Sequence, residues 1–488
     1  MTIYDILDKY AEFKTEQAKS SIKPMIYDYS KARKKEPYNK FVDIWKAYYK
    51  GNVDGINSDT GFNGVRRFKK ERKSMKLPKI IAQKWATTLF TEQFKVTLKD
   101  DEETEKFKEL ERLTRFRSKL NEATVWGYAE GTSAILASAD LITNGTGGKV
   151  KLDILKYDSL YPVSFSKDDI SVIAFAKEEQ KDKETVFTIS LHTEENGIYT
   201  VENIQATVKK GTKNIDFSAV ETVINANTYN NPAYCIIKPN TVNDCTEILP
   251  FGQSIFADAL APCDDVDLAA AGLRRDVKEG DQVTFIGKDL VLEKVGGEKT
   301  EKVFENDGFF IVPQDLMDSD GKKQLFEKRV PEIRATEYRQ VIRDSLDWAT
   351  MSSGLGKGML DVQIMPTATE RVYSEADKMQ NKSLHEQYLE GEIIKLVKAM
   401  CELSGLTGNP IDASVVNIIW KDSVIVDTEA EKKLALFEID AGVRGKDEYR
   451  VDFYGETPEQ AKVKIEEISG KPDLTSLDNF GDWKNEQE

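Results

Sequence analysis

Apolar residues along the first part of the chain recur at the three-to-four-residue spacing of an amphipathic helix. Residues 41–50 carry Phe41, Val42, Ile44, Trp45, Tyr48 and Tyr49 and end at Gly51, a helix with a glycine stop. A polar, glycine-bearing loop is expected over 52–64. After Pro78, the residues Ile80, Ile81, Lys84, Trp85, Thr88 and Leu89 trace one helical face, and 103–139 continue in that style through Trp126 and Gly127. Residues 1 to about 135 are therefore expected to be helical. From Lys149 the period falls to two: Val150, Leu152 and Ile154 alternate with polar residues, as do Val172, Ala174 and Ala176. The β-branched runs 186–191 and 198–201 follow, so an antiparallel β region ending near Pro239 is predicted.

The helical period then returns. A short piece over 254–261 precedes a second, which opens at Pro262 and runs to Lys278 before Gly280. Proline suits a first helical turn, and Asp264, Asp265 and Asp267 near that end favour the helix dipole. Strand-like runs occupy 283–286, 290–292 and 309–312, and Pro331 opens another helix. In it Ala335, Tyr338, Val341, Ile342, Leu346 and Ala349 form one stripe. A small β insert is thus bracketed by two helices.

After the glycine-rich 354–358, Thr367 and Glu370 form a capping box, Thr367 as N-cap and Glu370 three residues on. The helix they start is predicted to reach about Leu403, roughly 36 residues or about 54 Å long. Its apolar stripe is drawn through Val372, Ala376, Met379, Ser383, Gln387, Ile394, Val397 and Met400, and Gly405 and Gly408 stop it. A strand over 415–426, helices over 428–441 and 458–468, and a polar, disordered tail over 471–488 complete the expectation.

Composition narrows the functional classes. The chain has 488 residues, 40% hydrophobic and 31% charged, a soluble globular balance with room for roughly two to four domains. Lys plus Arg number 69 against 84 Asp plus Glu, a net charge of -15. Such a surface lacks the cations that make non-specific DNA binding tight, and it is repelled by anionic membranes. No apolar run approaches the ~18 residues of a transmembrane helix, and Met1-Thr2-Ile3-Tyr4-Asp5 lacks a signal-peptide pattern. Cys235, Cys245, Cys263 and Cys401 are widely spaced, which fits a reducing compartment.

Candidate chemistry is sparse. His192 lies in a strand-like run and His385 in the long helix, without cysteine partners at zinc spacing, and both are expected to be structural or solvated. Gly354-Leu355-Gly356-Lys357-Gly358 resembles a phosphate loop, but Met351 and Gly358 stand where a glycine and a hydroxyl are needed. A flexible loop is expected instead. Asp318-Ser319-Asp320-Gly321 with Glu327 has part of a calcium-loop pattern, but Leu316 occupies its first ligand position, so a solvated turn is expected. Nothing demands an enzyme, a metal or a cofactor.

The order of elements resembles the portal proteins of tailed bacteriophages, of the type found in siphophages of Gram-positive hosts. The resemblance is carried by residues 45–51, 79–98, Thr367-Ala368-Thr369-Glu370 at the start of the long helix, 420–427, and Tyr454-Gly455-Glu456-Thr457-Pro458-Glu459-Gln460-Ala461. It implies an α+β, portal-like fold. A wing over 1–250 has a helical start and an antiparallel β part. Stem helices over 251–280 and 330–353 bracket a clip over 281–329. A tunnel loop over 354–367 leads to a long wing helix over 368–405, a helical wing and crown region over 406–470, and a flexible tail over 471–488.

It also implies a homo-oligomeric ring of about twelve subunits, closed by one repeated heterologous interface. The ring would sit at one capsid vertex of the virion, after assembly in the host cytoplasm, and pass double-stranded DNA non-specifically during packaging and ejection. Its implied partners are the terminase large subunit, the major capsid protein, a scaffolding protein and a head–tail adaptor, with no membrane. In the tunnel loop, Gly354, Leu355, Gly356, Lys357, Gly358 and Met359 would face DNA, the glycines permitting shape change and Lys357 touching phosphate. A connector or scaffold of the phage head, and a hydrolase with an unrecognised site, remain as other readings.

Overall fold

The computed structural model describes residues 2–17, 35–62, 67–90, 94–140, 149–166, 169–181, 184–195, 197–209, 215–219, 228–245, 250–279, 283–287, 292–295, 298–301, 309–312, 318–319, 322–323, 326–329, 333–356, 360, 368–420, 435–439, 441–442, 444–454, 461–462 and 464–465. They form two units, residues 1–420 and 421–488.

The first unit opens with helices α1 (Ile3–Gln17) and α2 (Lys35–Lys50), hairpin strands β1 (Ser58–Phe62) and β2 (Arg67–Glu71), helix α3 (Leu77–Leu89), strand β3 (Lys95–Leu98), and helices α4 (Asp101–Thr114) and α5 (Phe116–Glu130). Local chemistry sets these ends. Pro78 stands in the first turn of α3. The Asp100 side chain accepts from the Glu103 N–H to cap α4, whose first turn is acidic, so orphan donors and dipole are both satisfied. The hairpin corrects the expectation of a helical start, and the predicted polar loop is in part β1.

A sheet region follows, with β4 (Ser133–Asp140), β5 (Lys149–Lys156), β6 (Leu160–Ser166), β7 (Asp169–Gln180), β8 (Glu184–Glu195), β9 (Ile198–Lys209), β10 (Ile215–Ala219), β11 (Thr228–Tyr229) and β12 (Tyr234–Ile237). The expected antiparallel region is present but divides into two sheets. One runs β10-β9-β8-β7-β6 with β11 beside β9, and the other β12-β4-β5. Helix α1 closes one face of the larger sheet, with Ile3, Tyr4, Ile6 and Leu7 among Val172, Ala174, Ile189 and Ile204. The smaller sheet joins the main core, where α3, α5 and the long helix meet.

Helix α6 (Leu260–Glu279), strands β13 (Val283–Gly287), β14 (Leu292–Val295), β15 (Glu298–Glu301), β16 (Phe309–Val312), β17 (Asp318–Ser319), β18 (Lys322–Lys323) and β19 (Phe326–Arg329), and helix α7 (Ala335–Ser352) come next. The short helix expected over 254–261 is reduced to a 3-10 turn at Ala257–Ala259 before α6. β13 pairs parallel with β16 and antiparallel with β19. The predicted helix from Pro331 begins at Ala335; Pro331 itself lies outside the described residues.

Helix α8 (Ala368–Leu406) has 39 residues, and β20 (Val416–Ile419) pairs antiparallel with β3. Residues 421–426 of the predicted strand and the tail 471–488 lie outside the described residues. The second unit contains α9 (Lys446–Tyr454), where Tyr449 and Phe453 rings lie 4.8 Å apart and Arg444 pairs with Glu438 at 3.3 Å. Among its described residues, the helices expected over 428–441 and 458–468 are represented by 435–439, 461–462 and 464–465.

The buried stripe of α8 keeps the predicted Val397 and Met400 but differs before them. Ser383 and Gln387 are exposed, whereas Lys382, His385, Leu389, Ile393 and Leu396 face inward. Two polar residues occupy the core because they have partners there: Lys382 pairs with Glu386 at 2.8 Å, and His385 packs on Trp85. Leu389→Ala should therefore cost about 2–5 kcal/mol, whereas Leu384→Ala, at a half-exposed position, should cost under about 0.5 kcal/mol. Denaturant midpoints of the two variants test this; equal shifts would contradict the assigned face.

Candidate channel segment and the helix pair that carries it

Helices α6 and α7 pack against each other at Gly272, where an added Cβ would lie 2.7 Å from the Tyr338 ring. Arg334 holds Asp276 at 3.1 Å on the same side and donates to the Tyr338 hydroxyl. Two of the three carboxylates expected to favour the helix dipole are anchors. Asp264 accepts from the Tyr48 hydroxyl at 2.9 Å, and its burial raises the carboxyl pKa against the pull of that bond. Asp267 is buried and accepts from the Asn57 amide at 2.9 Å and the Met75 N–H at 2.6 Å. Thus α6 is tied to α2 and to the segments flanking the first hairpin.

The far end of α7 is fixed more firmly. Leu355 N–H donates to Thr350 carbonyl and Gly354 N–H to Met351 carbonyl, the paired bonds of a Schellman cap. That cap needs a left-handed residue, and Gly354 has φ 74°. The Trp85 indole N–H donates to the Ser353 carbonyl at 2.8 Å, and the Asn381 amide donates to the Gly354 carbonyl at 3.0 Å. Leu355 is wholly buried. Trp85 in turn meets His385 edge-on at 4.6 Å. Helices α3, α7 and α8 converge on one knot.

This placement revises the first half of the glycine-rich segment. Gly354 and Leu355 belong to a packed helix cap, and a Leu355 side chain in the core presents nothing to a channel. Gly356 also has positive φ, 81°. Lys357, Gly358, Met359 and Thr367 lie outside the described residues, and Glu370 lies in the first turn of α8. Trp85, Asn381 and Asp267 are positioning residues that spacing along the chain does not reveal. A buried-type tryptophan in an amphipathic stripe was visible, but not its partner 268 positions later.

Both histidines are structural. His192 contacts Ser190 Oγ at 3.1 Å between Phe175 and Tyr234, and burial lowers its pKa to about 3. His385 Nδ1 accepts from the Asn240 N–H at 3.0 Å, and burial lowers its pKa to about 4. All four cysteines are free, and burial raises their thiols. Among the described residues no group of His, Cys, Asp and Glu could hold a metal ion, and no helix is long and apolar enough to cross a membrane. In the partial calcium pattern, Asp318 pairs with Lys323 across a short hairpin; Asp320 and Gly321 lie outside the described residues.

On the other face, α7 is bare. Val341, Trp348 and Met351 are 45%, 64% and 53% exposed. At 100° per residue they share one side of the helix. The predicted stripe is therefore wrong at Val341: the inward residues are Ser345, Ala349 and Thr350.

The family model described as Phage portal protein, SPP1 Gp6-like, matches residues 30–441. A solved chain from a structure described as the neck of native GTA particle computed with C12 symmetry is 9% identical, with a TM-score of 0.39, over 77% of this chain and 89% of that one. No curated protein matches.

Two predictions follow from the knot and the histidines. Trp85→Phe leaves a buried carbonyl without its donor and should destabilise by about 1–3 kcal/mol, read as a lowered unfolding midpoint; no change would contradict the bond. Each buried histidine is neutral when folded but binds a proton when unfolded below the ordinary 6.5. Stability should fall by about 1.4 kcal/mol per pH unit and histidine as pH drops from about 6 toward about 4. Replacing His385 by Gln should flatten that slope; an unchanged slope would refute its assignment.

Proposed function

Because the chain belongs to the SPP1 Gp6-like phage portal protein family, a structural component of phage particles, we propose that its copies close into a ring of about twelve at a capsid vertex. Double-stranded DNA would pass through the bore during packaging and ejection. Within that reading α6 and α7 are the stem, β13 to β19 the clip between them, residues 354–367 the tunnel segment and α8 the wing helix. Residues 406–470 lead from the wing to the crown. In this reading Lys357, Gly358 and Met359 would face DNA, after the fixed cap at Ser353 to Leu355 and the buried Gly356. The terminase large subunit supplies the ATP chemistry. Major capsid protein, scaffolding protein and head–tail adaptor are the other partners.

The observation that carries the ring is the apolar side of α7. A tryptophan with nearly two thirds of its surface exposed beside Val341 and Met351 is what a surface awaiting a partner looks like. The opposite side of α7 already packs on α6, so this side is available to a neighbouring copy. A net charge of -15 per chain suits a wall that passes a polyanion without gripping it along its whole length.

Trp348→Ala should weaken assembly by about 2 kcal/mol or more per interface, roughly thirtyfold. Native mass measurement on the variant should show the 55.2 kDa chain at concentrations where the unaltered protein forms rings, with helix content unchanged. Rings that persist at every dilution would contradict the assigned interface.

A further inference from the structure

The helix pair is electrically divided. Toward the strands it carries Arg274, Arg275, Lys278, Arg334, Arg339 and Arg343, all exposed. The carboxylates there are Asp276, Glu279 and Glu337, and Asp276 is already engaged by Arg334 at 3.1 Å and Arg275 at 3.8 Å. Toward the knot the charges reverse: α6 has Asp264, Asp265 and Asp267, α7 has Asp344 and Asp347, and residues 260–273 and 344–352 contain no Lys or Arg. Among the described residues no carboxylate pairs with Lys278 or Arg339. Arg339 and Arg343, one turn apart, lie on a different side of α7 from Val341, Trp348 and Met351, so a copy docked on the apolar side leaves them uncovered.

We propose that this cationic end of the helix pair is a phosphate-contacting belt for duplex DNA. The inference rests on the ring reading above. Rotation about a ring axis brings equivalent residues to one level, so the cationic end of each pair adjoins the cationic end of the next. A belt of like charge in an otherwise acidic chain calls for a repeating anion, and duplex DNA offers one phosphate per ~1.7 Å of axis. The belt is local, so DNA is touched at one level and repelled elsewhere, which permits sliding.

The test uses assembled full-length protein and a blunt, labelled DNA duplex, titrated across salt concentrations. The variant Lys278→Gln/Arg339→Gln/Arg343→Gln should bind at least tenfold more weakly at about 50 mM salt, with a log-affinity against log-salt slope shallower by about 1 or more. Arg339→Lys/Arg343→Lys keeps the charge and should bind within about twofold of the unaltered protein. Intact rings of the Gln variant with unchanged affinity and slope would overturn the belt alone. Loss of rings in the Gln variant with full assembly of the Lys variant would assign the cluster to contacts between copies and also overturn it. An unaltered chain that never forms rings would overturn both the belt and the ring.

Discussion

One buried hydrogen bond, from the Trp85 indole to the Ser353 carbonyl, fixes how the helix pair leaves the core. The last carbonyls of a helix lack internal partners, and a buried one must find a donor. Here the donor comes from α3, the neighbouring carbonyl of Gly354 takes its donor from α8, and Leu355 fills the space beneath. Three helices distant in sequence therefore share one point. Asp267 does the same for α6, holding Asn57 and Met75. With one end so constrained, the pair projects its remaining sides as a rigid surface.

That surface has a division of labour that follows from helical geometry. Gly272 lets α6 and α7 approach closely enough for Tyr338 to lie against the backbone. Once that side is used, α7 has two others. One is apolar and exposed at Trp348, and one is cationic at Arg339 and Arg343. The proposed self-association and DNA contact would then use different sides of the same helix, and the net charge of -15 would leave the rest of the surface with little hold on DNA.

Much of the fold was legible because its helices announce their ends. Pro78 and Pro262 sit in first turns, Asp100 caps α4, and the β insert was bounded by helical stripes on either side. The hairpin of Ser58–Phe62 with Arg67–Glu71 was not legible, since its strands are polar and glycine-bearing and show no alternation. The first half of the α8 stripe was misplaced because Lys382 and His385 carry no hydrophobic signal in the sequence. Only a buried ion pair and an aromatic contact, both set by tertiary structure, turn them inward. At the candidate site the glycines were visible but their work was not. Whether a glycine permits motion or completes a cap depends on the residue after it, and Leu355 is pinned by partners that sequence spacing does not reveal.

Amide hydrogen exchange of Gly354 and Leu355 tests the central claim most directly. If the end of α7 is locked into the core by Trp85 and Asn381, these two amides exchange as slowly as those of Ile393 and Val397 in the buried part of α8. Exchange as fast as that of the exposed backbone around Val242 would show that the helix pair is hinged at its root, and the account of a fixed cap would be wrong.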